Sequence, residues 1–260
     1  RAGEHDRYLA ALFAPEPRRR RLIVLAAFAA EVRRIPDVVS QPMLAEVRLQ
    51  WWRDAIAAGL EGEMSGHPIA DALGEIGREC RLPEGLLLGL VDAQATIAAG
   101  REFADELELD QHLGKAEGAL FELAVEVSVG SDRSAFGTAI AAAGAAYGLA
   151  RMLRLLAHDN ARGRCLVPRS LLDTHATDPH GVATGRSQSR IVEGLAGRAR
   201  RALHAARVGL ESLDRRALPA FLPLAAVPSL LARAGAPSAP SPERFAHVVR
   251  IGWAGLRGRV

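Results

Sequence analysis

AFAAEVRRIPDVVSQPMLAEVRLQWWRDAI, residues 27–56, reads as two helices in succession. Leu22, Leu25, Ala26, Ala29 and Val32 recur at helical spacing and put one apolar stripe on a helix over about 17–34. Pro36 disfavours the α conformation at Ile35, so that helix is expected to end or kink there. Ser40 suits an N-cap and Pro42 the first turn of a second helix, whose apolar face carries Leu44, Val47, Trp51 and Ala55.

The same period extends in both directions. A short helix follows Asp6 and stops at Pro15 and Pro17. Further helices are predicted at about 68–79, 83–101, 110–129 and 132–157. The polar stretch Thr174 to Ser189 reads as a mobile loop before a long helix to about Asp214. Pro219, Pro223 and Pro228 divide the next apolar segment, and Ala236 to Pro242 is a linker before a last helix that starts near Ser241. Without any alternating strand pattern, the chain is expected to be all-α, one helical bundle over residues 1–260 with its core at about 7–255.

Composition narrows the function classes. The chain is 49% hydrophobic and only 5% aromatic, so its core is built from Ala, Leu and other aliphatic side chains. Ser134 to Ala150, mostly Ala and Gly, is too short and too weakly apolar for a membrane span and is read as a buried helix that neighbours approach closely. Net charge is +3, Lys115 is the only lysine, and acids nearly balance the arginines. The one dense basic patch, Arg18 to Arg21, has no interleaved aromatics, so nucleic acid is not an expected partner. Cys80 and Cys165 have no metal-ligand neighbours, which fits a reducing compartment and a cytoplasmic protein, membrane-peripheral at most. No signal peptide is visible in the sequence as given, and it holds no P-loop, nucleophile elbow or dinucleotide fingerprint.

A second stretch, LARMLRLLAHDNARGRCLVP at 149–168, carries an acid, Asp159, followed by Arg162-Gly163-Arg164 and a Leu-x-Pro turn. Together with Trp51-Trp52-Arg53-Asp54 in the first stretch, it resembles the squalene/phytoene synthase family, over roughly residues 7–255. The resemblance implies an isoprenoid-synthase-type bundle around a central cavity, with an Asp-rich motif on each of two facing helices. Carboxylates four apart share a helix face, and two such helices hold magnesium through oxygen. The metal clamps a prenyl diphosphate and stabilises its departure.

This chain departs from that pattern at the chemistry. Arg33-Arg34-Ile35-Pro36-Asp37 stands where the family has Asp-Asp-x-x-Asp, and Leu155 stands where the second motif should begin. Asp37 and Asp159 remain as relic metal positions, and His112 matches the family's tyrosine on the intervening helix. A guanidinium about 5 Å from a divalent ion, at an effective dielectric of ~20, costs roughly 6–7 kcal/mol. Arg33 and Arg34 therefore read either as bidentate holders of phosphate oxygens or as substitutes for metal that pair with Asp37 and Asp159. Arg162 and Arg164 contact a diphosphate in the family manner or tie their loop to helix carbonyls. His158 reads as a catalytic candidate or as a solvated loop histidine. Trp51 and Trp52 point in different directions, either both into the core or one into an exposed apolar patch.

Two functions follow from the resemblance. One is a non-catalytic family scaffold that binds an isoprenoid diphosphate, a lipid or a protein partner and needs no cofactor. The branch of the family with reduced acidic motifs, which includes the mitochondrial complex I assembly factor, resembles this chain in that respect. The alternative is a working transferase that condenses prenyl diphosphates, with magnesium held by acids such as Glu31, Asp54 or Asp105.

Overall fold

The computed structural model describes residues 4–39, 41–130, 134–178, 186–211, 214–234 and 243–260, without the side chains of 186–189 and 243–247. Ser40, the whole Ala236–Pro242 linker with Ser241, and the 179–185 part of the polar stretch lie outside them.

The bundle is laid down in chain order. Helices α1 (His5–Ala11), α2 (Arg18–Val38), α3 (Pro42–Glu61), α4 (Pro68–Cys80) and α5 (Glu84–Ala98) form its first half. Next, α6 (Glu106–Leu113) runs through a π-helical turn, Gly114–Gly118, into α7 (Ala119–Val129). The second half holds α8 (Gly137–Asn160), α9 (Arg169–Thr174), α10 (Arg186–Leu210), the short α11 (Leu218–Phe221) and α12 (Val227–Leu231), and α13 (Glu243–Arg257). No strand occurs among the described residues. Phe28, Leu49, Leu73, Leu90, Phe121 and Leu149 are fully buried and come from six helices, which marks one continuous core.

Three local expectations change. Pro36 does not end α2, which continues to Val38 because the Val39 amide still donates to the Ile35 carbonyl at 3.2 Å and Ile35 is buried. The helix expected at 110–129 starts earlier, where the Asp105 side chain caps the Glu108 amide at 2.9 Å, and is interrupted by the π turn. On α3 the buried face is Ala45, Leu49, Trp52 and Ile56, one position round from the predicted one; Leu44, Val47 and Trp51 are exposed. A shift of one residue turns a helix by about 100°, and here the packing of α3 on α4 chooses the angle. A Cβ on Gly74 would lie 2.8 Å from the Gly59 carbonyl oxygen, so the two helices touch through backbone at that crossing.

Close approach also positions the centre of the molecule. As expected for 134–150, α8 is a buried helix rich in small residues, and it packs against the π turn. A Cβ on Gly144 would sit 2.7 Å from the Gly118 Cα, and one on Gly148 would sit 3.2 Å from the Glu117 Cγ. These glycines let the Glu117 carboxylate lie directly against α8. Within the basic patch at 18–21, two arginines join α2 to α4: Arg20 pairs with Glu75 at 2.7 Å and Arg21 with Glu79 at 3.0 Å. Gly144→Ala is predicted to destabilise the fold by about 1–3 kcal/mol through overpacking, read as a lower urea midpoint at unchanged slope.

Candidate functional site

A cavity of about 90 Å³ lies between α2, α5, the π turn and α8. Its walls include Arg33 and Asp37 from α2, His112 and Glu117 from α6 and the π turn, and Arg151, Leu155, His158 and Asp159 from α8. Arg164 closes one end from the loop after α8. Arg151, Leu155 and Asp159 fall on one stripe of α8 at four-residue spacing, which is why all three reach the cavity.

Two ionic constellations fill this space. At the deeper one, the nearly buried Arg33 side chain pairs with Glu4 and, at 2.7 Å, with Glu117. Arg7 pairs with Glu117 at 2.9 Å and Glu4 at 3.2 Å, and Arg151 reaches Glu4 at 2.8 Å. The Arg7 guanidinium also lies 4.5 Å from the Phe121 ring centre. Burial alone would raise the Glu117 carboxyl, but Arg33, Arg7 and Arg151 beside it hold it down to about 2. For Arg33 the balance is the same in mirror image: burial opposes the charge, and Glu117 and Glu4 more than restore it.

At the outer constellation one guanidinium joins both relic acids. Arg164 Nη2 donates to Asp37 Oδ1 at 2.7 Å and to Asp159 Oδ1 at 2.7 Å, Nε donates to Asp159 Oδ1 at 3.1 Å, and Nη1 donates to the Pro36 carbonyl at 3.0 Å. Asp37 also faces His158 at 3.4 Å and Arg162 at 3.7 Å. Burial pushes both carboxyls up. At the more open Asp37 the Arg164 and His158 contacts win and the value falls, whereas at the deeper Asp159 burial wins, with Asp37 adding to it.

Each residue singled out in the sequence can now be placed. Asp37, Asp159 and Arg164 converge, and Arg162 stands at their edge. Arg33 enters the cavity but pairs with Glu4 and Glu117, not with Asp37 and Asp159. Arg34 leaves it altogether: its side chain is 61% exposed and meets Glu31 at 3.8 Å. Because Arg33 and Arg34 lie 100° apart on α2, only one of them can face inward. His158 sits on α8, not in a loop. Glu31, Asp54 and Asp105 line no part of the cavity: Asp54 accepts from Gln50 on the exposed side of α3, and Asp105 caps α6. Sequence reading missed Glu4, Arg7, Glu117 and Arg151. Arg151 alone left a sign, the four-residue spacing to Leu155 and Asp159.

The profile of the family described as squalene/phytoene synthase matches residues 1–249. The chain belongs to that family. Among curated proteins, the chain is 25% identical over 235 residues to NADH dehydrogenase (ubiquinone) complex I, assembly factor 6 of Bos taurus, covering 89% of this chain and 70% of that protein. The protein of the same name from Homo sapiens is 23% identical over 226 residues, covering 85% and 67%. Among solved structures, a dehydrosqualene synthase in complex with ligand superposes with TM-score 0.78 at 12% identity, covering 95% of this chain and 90% of that one. Squalene synthase HpnC from Alicyclobacillus acidocaldarius gives 0.71 at 18%, covering 96% and 88%. At those identities the structures show a shared fold.

The family chemistry calls for magnesium, and these residues do not fit it. A hard divalent cation needs several free oxygen ligands. Here Asp37 and Asp159 each give Oδ1 to Arg164, both oxygens of Glu117 are held by Arg7 and Arg33, and no three His, Cys, Asp or Glu side chains among the described residues are grouped to hold one ion.

Arg33→Met is predicted to cost about 3–5 kcal/mol, because Glu117 loses an ion-pair partner in a buried setting. Arg33→Met with Glu117→Met should cost less than the single change, which chemical denaturation of both variants measures. His112 yields a pH dependence. Burial lowers it to about 4, with Arg33 and Lys115 adding to the effect against Glu117. Its folded value lies below the unfolded 6.5, so the stability it confers is complete above 6.5 and is lost as pH falls towards 4. His112→Gln should flatten that part of the stability curve by on the order of 2–3 kcal/mol.

Proposed function

We propose that this chain is a non-catalytic member of the squalene/phytoene synthase family, in which guanidinium groups stand where the family's divalent cations would stand. The observation that carries the reading is Arg164, whose Nη2 lies 2.7 Å from both Asp37 and Asp159. A cation fixed covalently to the chain takes one oxygen of each acid and offsets part of their charge, so the pair is poorly placed to hold a metal diphosphate. The reading therefore needs no metal cofactor. The cavity supports the same view: about 90 Å³ is far below the roughly 300–1,000 Å³ of ordinary ligand sites, and a pair of prenyl chains needs more.

The relatives named as complex I assembly factor 6 support a role in building an NADH dehydrogenase complex, with a protein as the partner. On this reading the bundle is kept for its outer surfaces, and the ionic cluster is kept because it holds the helices in register.

Purified protein incubated with magnesium and farnesyl or geranylgeranyl diphosphate is expected to release no diphosphate above the buffer rate. Turnover that Asp37→Asn or Asp159→Asn abolishes would establish a working transferase instead.

A further inference from the structure

The α3 face that sequence reading placed in the core is turned outward. Met43 is 78% exposed, Val47 62%, Leu44 51% and Trp51 40%, and all four lie along the first three turns of the helix. Val38, at the end of α2, is likewise exposed, and a groove of about 250 Å³ shared by α2 and α3 runs between Val38, Ile35, Trp51 and Trp52. Single exposed apolar residues need no explanation, but five in one patch do.

Two arginines border this patch, and Glu31 lines the same groove. Arg48 lies on the same stripe as Leu44 and Trp51 and has no ion-pair partner among the described residues, and Arg34 stands across the groove, 3.8 Å from Glu31. Glu46, the one carboxylate on the first two turns of α3, is tied at 2.7 Å to Arg53, which Asp92 holds at 3.0 Å on the side towards α5. Asp54 accepts a hydrogen bond from Gln50 at 2.8 Å on that helix.

We propose that this face of α3 docks on an anionic lipid bilayer, with Met43, Leu44 and Val47 entering the acyl boundary, Trp51 at headgroup level, and Arg34 and Arg48 against lipid phosphates. The chemistry of the patch matches each layer it would meet. Unbranched and aliphatic side chains at the tip insert shallowly, as interfacial helices do. An indole with one edge packed on Trp52 and His67 and the other open suits the boundary between hydrocarbon and water. Arginines with long stems reach from an apolar surface to phosphate. The inference concerns the outside of the bundle and is independent of whether the cavity has chemistry.

Vesicle flotation of the intact protein tests it. Vesicles containing about one-third phosphatidylglycerol in phosphatidylcholine should carry the protein up, pure phosphatidylcholine should carry much less, and raised salt should release it. Met43→Ser with Val47→Ser should weaken binding at least about tenfold, since both side chains are exposed and the fold does not depend on them. Arg34→Gln and Arg48→Gln should each weaken it about fivefold. Circular dichroism melts should match the parent for every variant. Failure to float with anionic vesicles, or equal flotation of parent and serine variant, overturns the proposal. So does a concentration-dependent dimer in light scattering that the serine variant dissolves without any change in flotation, which would assign the face to a second copy.

Discussion

Two carboxylates, Asp37 from α2 and Asp159 from α8, face each other across the mouth of the central cavity, and something positive must stand between them. A like-charge pair at this range in a partly dry setting is costly. Arg164 meets the need from the loop that follows α8 and reaches the Pro36 carbonyl as well. That third bond bears on the proline in the last turn of α2. Pro36 lies in the last turn of α2, where carbonyls run out of helical donors, and its carbonyl accepts from the guanidinium. One side chain thus closes the site, fixes the end of one helix to the end of another and bridges both acids.

Behind it lies a second solution to the same electrostatic problem. The charge of Arg33 is answered by Glu117 on the π turn and Glu4 ahead of α1. The π turn matters here. An extra residue in the helical path rephases the chain, so that His112 before it and Glu117 within it both reach the cavity. Gly144 and Gly148 then let α8 come near enough for Arg151 to join. Such a network is poor evidence for stability as such, since an apolar core of equal volume could do as well, but every member depends on the others for its charge.

Much of this was legible in the order of residues, for reasons that can be named. The all-α bundle follows from periodicity that persists through every long segment, and the family follows from Trp51-Trp52-Arg53-Asp54 and Arg162-Gly163-Arg164. The two relic acids were found because they sit in recognisable frames. The pairing was not found. Arg33 and Arg164 are both arginines near both acids in sequence terms, and only the rotation of α2, set by the burial of Val32 and Ile35, decides that Arg33 looks towards Glu117 and leaves Arg164 the acids. The α3 face was misplaced for a related reason. Both of its stripes are apolar, so period alone cannot say which one is buried; the backbone contact of Gly59 with Gly74 does. Glu117 and Glu4 lie 84 and 29 positions from Arg33, beyond any local pattern.

The interlocked cluster also constrains single substitutions. An acid placed at position 33 by one change would leave Glu4 and Glu117 short of positive charge in a closed interior, and one placed at 155 would add a third acid to the two around Arg164. Each such change draws on a stability that is only about 5–15 kcal/mol in an ordinary domain. Charge in this interior can therefore be rewritten only when partners far apart in the chain change together.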